Sequence, residues 1–140
     1  MLEFIGAHML LHSLSAETLA LVIDAIPVRI FWKDRDLRFL GCNKLFAQDA
    51  GVTDLASFVG KTDYYFYHAD QARAFRKDDA QVIASGEPRL GILEELTFET
   101  GKTRWLETNK VPLRNEAGQI VGVLGTYQDV TDRIRAQRAA

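Results

Sequence analysis

The C-terminal half of this chain reads as three extended runs separated by glycine-bearing turns, and that succession leaves few folds open. Arg89–Thr97 leads to Thr100-Gly101, Thr103–Leu113 leads to Asn115-Glu116-Ala117-Gly118, and Ile120–Gln128 closes the series. Glycine supplies conformations that a β-carbon resists, so each short break turns the chain back and makes neighbouring strands antiparallel. Just upstream, Asp70–Ser85 carries an apolar stripe of Ala72, Phe75, Val82 and Ile83 and ends at Gly86. That is the pattern of one long helix with a left-handed stop.

The N-terminal half supplies the rest. Val28–Lys33 is β-branched and aromatic, Asp34-Arg35-Asp36 can turn the chain, and Leu37–Gly41 resumes an extended pattern, which predicts a hairpin. Asn43 can cap a short helix running to Ala50, with Gly51 as its stop. Residues 52–69 read as short helical turns, broken by Gly60 and holding the aromatic run Tyr64, Tyr65, Phe66 and Tyr67. Ahead of the hairpin, Ser15 can cap a helix in which Leu19, Val22, Ile23 and Ile26 recur until Pro27. Residues 4–14 suggest an earlier helix with Phe4, Ala7, His8, Leu11 and Leu14 on one side, and Asp129–Ala140 opens a polar, Arg-rich helix. The order predicts an α+β fold: a five-stranded antiparallel sheet with helices on one face, plus an N-terminal helix. Residues 1–22 form a helical lead-in, 23–130 the domain, and 131–140 the start of a linker helix.

Composition excludes several classes. The length of 140 residues suits one domain with a real core. A net charge of -2 offers no basic face for nucleic acid. No apolar run approaches the ~20 residues of a spanning helix, so no membrane contact is expected within this segment. The opening residues lack the basic start and cleavage site of a signal peptide. With Cys42 the sole cysteine, no intrachain disulfide can form, which fits a cytoplasmic location. His8 and His12 stand four apart, but no third ligand accompanies them and no metal is expected. No nucleophile elbow, phosphate loop or kinase signature is present, so the chain is expected not to be an enzyme in itself.

A set of short motifs runs in order over about 23–132. They include Ile26-Pro27, Phe31-Trp32-Lys33-Asp34-Arg35-Asp36, Gly41-Cys42-Asn43-Lys44-Leu45-Phe46 and Gly60-Lys61-Thr62-Asp63. Then follow Asp78-Asp79, Ser85-Gly86-Glu87-Pro88, Arg104-Trp105-Leu106-Glu107-Thr108, Lys110-Val111-Pro112-Leu113, Gly118, Gly122-Val123-Leu124-Gly125 and Asp129-Val130-Thr131. Together, in this order and spacing, they resemble the PAS family, in the subgroup found in bacterial sensor histidine kinases and diguanylate cyclases.

That resemblance implies a sensory domain that detects a small ligand, or relays a conformational change, to an effector following it in the parent protein. The alternative is a ligand-free module for dimerisation and interaction; a homodimer is expected in either case. The resemblance puts a pocket between sheet and long helix, walled by Trp32, Val82, Ile83, Leu106, Thr108, Val123, Gly125 and Tyr127, residues that would equally make a filled core. Asp79 falls on the inward stripe of the long helix, and Lys110 shares a strand face with Leu106 and Thr108. The two either help bind a polar ligand or are satisfied structurally, by pairing or by a lysine stem that reaches water.

Cofactor identity stays open between none and a small molecule. In the flavin photoreceptor branch the reactive cysteine would align with Asp63 and the flavin-facing glutamine with Tyr127, so no photoadduct is expected, while non-covalent flavin stays open. Haem of the kinase type would need a histidine at Ala80, which leaves His68 as the one candidate axial ligand. Trp105 falls on the strand face opposite Leu106, available to cover a partner. The resemblance also makes Asp129 and Thr131 the signal output, because they would cap the helix leading to the effector.

Overall fold

The computed structural model describes residues 15–97 and 102–139. The expected helix at 4–14, the His8–His12 pair and the Thr100-Gly101 turn lie outside them. The elements are α1 (Ala16–Ala25), β1 (Arg29–Asp34), β2 (Phe39–Cys42), α2 (Lys44–Ala50), α3 (Leu55–Phe58), α4 (Asp63–Phe66), α5 (Ala69–Ser85), β3 (Arg89–Thr97), β4 (Thr103–Arg114), β5 (Ile120–Asp129) and α6 (Thr131–Ala139). The strands form one five-stranded sheet in the order β2-β1-β5-β4-β3, and every neighbouring pair is antiparallel.

Local chemistry sets the element ends. Ser15 accepts from the Thr18 amide at the head of α1, and Asn43 accepts from the Phe46 amide at the head of α2. Gly51 and Gly86 close α2 and α5 with left-handed backbone, φ 70° and 69°. The β1–β2 turn is tighter than the sequence suggests. Asp34 accepts from the amides of Asp36 and Arg38, and Leu37 adopts φ 60° with its side chain buried. The second strand therefore begins at Phe39, not Leu37.

Two apolar clusters hold the layers together. Phe31 and Phe39 of the sheet meet Phe46 of α2 and Phe58 of α3, with Phe39 and Phe58 centroids 4.7 Å apart. Leu37, Val82, Ile83 and Val123 form the second, which seats α5 on β5. Burial of each such side chain contributes about 1.5–3 kcal/mol. Helix α6 runs against the opposite face: the Val130 amide donates to the Trp105 carbonyl, and the Arg138 guanidinium lies 4.6 Å from the Trp105 ring centre. Among the described residues no helix is long and apolar enough to cross a membrane.

Candidate functional site

The site starts with a lysine that points inward. Strand β1 alternates, and Phe31 and Lys33 share its inner face. Lys33 Nζ donates to Asp63 Oδ2 at 2.6 Å and to Asp79 Oδ2 at 2.5 Å. Asp63 is the first residue of α4, and Asp79 lies on the inward stripe of α5. From β4, Lys110 Nζ donates to Asp79 Oδ1 at 2.7 Å. Relative exposure is 0% for Lys33 and Asp79 and 2% for Asp63 and Lys110, so water screens none of these charges. Isolated charges so placed would cost several kcal/mol each; two cations against two anions make the arrangement tenable. Burial pushes the Asp63 carboxyl above its ordinary value, and the Lys33 ammonium opposes the shift.

Beside this quartet lies a cavity of about 80 Å³, room for a few waters or a small organic molecule. Lys33, Thr108 and Lys110 line it from the sheet, and Phe31, Tyr67 and Phe75 give it aromatic walls. A second ionic set borders it, where Asp49 accepts from the Tyr127 hydroxyl at 3.1 Å and pairs with Arg29 at 3.0 Å and Arg104 at 3.8 Å. Burial, with the carboxylate of Asp49 nearby, drives the Tyr67 and Tyr127 hydroxyls above their ordinary values and keeps them protonated. Glu94 of β3 completes the lining and accepts from the Thr108 hydroxyl at 3.0 Å. Its carboxyl is raised by burial, against the hydrogen bond from Thr108 and the charge of Lys110.

Arg104 connects this wall to the end of the domain. Its Nε donates to Asp129 Oδ2 at 2.7 Å. Asp129 in turn accepts from the Thr131 amide at 2.9 Å and the Thr131 hydroxyl at 2.5 Å, and Thr131 Oγ1 accepts from the Trp105 amide. Partial burial works against ionisation of Asp129, but the bonds from Thr131 and Arg104 outweigh it and lower its carboxyl to about 2.

The residues expected at the pocket divide. Leu106, Thr108, Lys110 and Tyr127 line the cavity, while Asp79 lies behind it as the shared anchor of both lysines. Val82, Ile83 and Val123 belong to the second apolar cluster and do not line the cavity. Gly125 lies under the Phe31 ring, where a β-carbon would come within 2.2 Å of Cζ, so its role is to admit that ring. Trp32 is on the other side of the sheet, its ring over Gly41. A shift of one residue moves a strand's whole set to the opposite face, and here Phe31 and Lys33 take the inner one. His68 is exposed at the head of α5 and does not line the cavity. Cys42 is half-buried, and burial raises its thiol to about 11.

Sequence reasoning missed Lys33, Asp49, Asp63, Tyr67, Glu94 and Arg104 as lining residues. Parity along β4 was a usable signal for Arg104, which shares a face with Leu106 and Thr108. Among the described residues no three His, Cys, Asp or Glu side chains are placed to hold a metal.

Comparison with known proteins gives a consistent result. The family described as PAS fold matches residues 23–135. The methanogenesis regulatory histidine kinase FilI of Methanothrix harundinacea is 30% identical over 120 residues, covering 86% of this chain and 13% of that protein. A diguanylate cyclase of Vibrio cholerae is 32% identical over 116 residues, covering 80% of this chain and 35% of that protein. The chain thus spans about a third or less of these relatives. Among solved structures, the PAS domain of Bordetella pertussis BvgS superposes with a TM-score of 0.72 at 28% identity, covering 88% of this chain and 91% of that one.

Proposed function

Because the chain belongs to the PAS fold family, we propose that it is the sensory input module of a cytoplasmic signal-transduction protein, of the histidine kinase or diguanylate cyclase kind. It binds a small molecule in the cavity between sheet and helices and passes the change in occupancy to an effector that follows α6; the domain regulates, and the chemistry belongs to the effector. One observation carries this reading. Arg104 both lines the cavity and bonds to Asp129, which holds the first turn of α6. A side chain with one end at a ligand and the other at an output helix can turn binding into movement. Mass spectrometry of the denatured chain identifies what it retains on purification, and hydrogen exchange with and without that molecule reads the response. Sensing requires altered protection at residues 131–139; unchanged protection on saturation counts against it.

A second reading has its own observation. Helix α1 buries none of its residues, and Leu21 and Val22 are 65% and 51% exposed. A ten-residue helix with no buried face is not stable by itself. A homodimer that covers α1 would make the domain an interaction module. Sedimentation equilibrium on Leu21→Glu and Val22→Glu decides it, since an association constant equal to that of the wild type removes α1 from the interface.

A further inference from the structure

Among the described residues, the charges around the cavity leave one carboxylate over. Lys33 and Lys110 are matched by Asp63 and Asp79, and Arg29 and Arg104 are matched by Asp49 and Asp129. Glu94 lines the same cavity, yet among the described residues no cation stands in ion-pair contact with it, and the Thr108 hydroxyl is its one hydrogen-bond donor. A carboxylate has about four acceptor positions. From the reading of this cavity as a ligand site, we infer that its ligand is a small organic cation, an alkylammonium or amidinium, whose N–H groups bond to Glu94 and whose carbon frame lies against the aromatic walls.

Three features of the cavity favour that class over the others. The faces of Phe31 and Phe75 carry the negative side of the ring quadrupole and already hold ammonium groups, Lys33 at 5.3 Å and Lys110 at 6.0 Å from the Phe31 centre and Lys110 at 5.6 Å from that of Phe75, so the aromatic walls suit cations and repel an anion. An anionic ligand would add a second negative charge beside Glu94, or draw Lys33, Lys110 or Arg104 from the aspartates they already pair with. A neutral ligand would cover the half-buried carboxylate and leave it the charge of Lys110, which is not in ion-pair contact with it, as its counter-charge. Burial already pushes the Glu94 carboxyl upward, as expected of a group lacking its partner. The small volume limits the cation to a few heavy atoms.

The test uses the full chain and three probes of similar size, propylammonium, propionamide and propionate, at equal ionic strength. Binding is read from NMR shifts at Leu106, Thr108 and Tyr127. Propylammonium is expected to bind about tenfold more tightly than either other probe, the scale of one charge-assisted hydrogen bond. Glu94→Gln should erase that preference, and Glu94→Asp, which keeps the charge, should retain it. If propionate or propionamide binds as well or better, the cation assignment fails and the cavity remains a ligand site. If no probe shifts these residues up to its solubility, both readings fail together. A cation preference that survives in a folded Glu94→Gln variant overturns the role given to Glu94.

Discussion

Asp79 is the residue on which the most depends, because each of its oxygens holds a buried lysine. Asp79→Ala leaves Lys110 with no carboxylate and Lys33 with Asp63 alone. Breaking a buried pair from one side costs about 3–5 kcal/mol, so urea denaturation should show a loss of that size. The double variant Asp79→Leu, Lys110→Met removes both charges and should recover most of it; a double variant as unstable as the single one would mean that packing, not charge, is at fault. Glu94 makes a prediction with the opposite sign. Its folded-state carboxyl titrates above the unfolded value of about 4.3, so the folded chain binds more protons in that window and stability falls as pH rises. Glu94→Gln should therefore raise the melting temperature at neutral pH, with the gain fading as pH falls toward about 4; an equal gain at both pH values would rule out titration as the cause. Neither residue's role could be read from its own neighbourhood in the sequence. In β1 the apolar alternation favours Ile30 and Trp32 as the inner pair, since the other set contains a lysine. Lys33 is inside because Asp63 and Asp79, 30 and 46 positions away, neutralise it.

At the scale of elements the sequence was far more legible, because what ends a helix is local. Ser15, Asn43, Gly51 and Gly86 do what their chemistry indicates, and Arg89–Thr97 matches the observed strand at both ends. The exception is Leu37, whose left-handed backbone belongs to a turn that Asp34 organises through two amides. Helix α6 is the element with the least support of its own. It is polar and nine residues long, and Thr131 and Ile134 are its buried positions. Its start is tied down by Asp129 and, through Thr131 Oγ1, by the Trp105 amide of β4. Asp129→Ala removes the acceptor for the Thr131 amide, a capping loss of about 1 kcal/mol. Hydrogen exchange should then quicken across 131–139 while protection in β4 and β5 holds; loss of protection in the strands as well would make Asp129 part of the sheet's stability and not a local clamp. The clamp also has a pH signature. With its carboxyl lowered to about 2 in the folded chain, Asp129 contributes its stabilisation fully above the unfolded value of about 3.9 and loses it as pH falls toward 2.

For the molecule as a whole the question is how a cavity on one side of the sheet can act on a helix on the other. The covalent route through β4 is stiff, since β4 is bonded along both edges, to β3 and to β5. Arg104 offers a softer one: it faces the cavity near the end of β4, and its guanidinium reaches Asp129 at the end of β5, with Asp49 of α2 as a second partner at 3.8 Å. A guanidinium has five N–H donors and can divide them between two carboxylates, so a ligand that shifts α2 or displaces Asp49 changes how firmly Arg104 holds Asp129. That in turn alters how well the first turn of α6 is capped, and among its described residues α6 buries one apolar side chain, Ile134, too little to mask the difference. Coupling of this kind is demonstrated by energetics and not by proximity. Arg104→Met keeps the length and apolar contacts of the side chain and removes the charge, so the cavity should still bind propylammonium to within about threefold, given that Glu94 and the aromatic walls are untouched. In the wild type, saturation with that probe should change the exchange rates of residues 131–139; in Arg104→Met the change should vanish although binding persists. A response that survives in this variant would assign transmission to β4 and β5 themselves, and loss of binding together with the response would make Arg104 a ligand contact and not the link to α6.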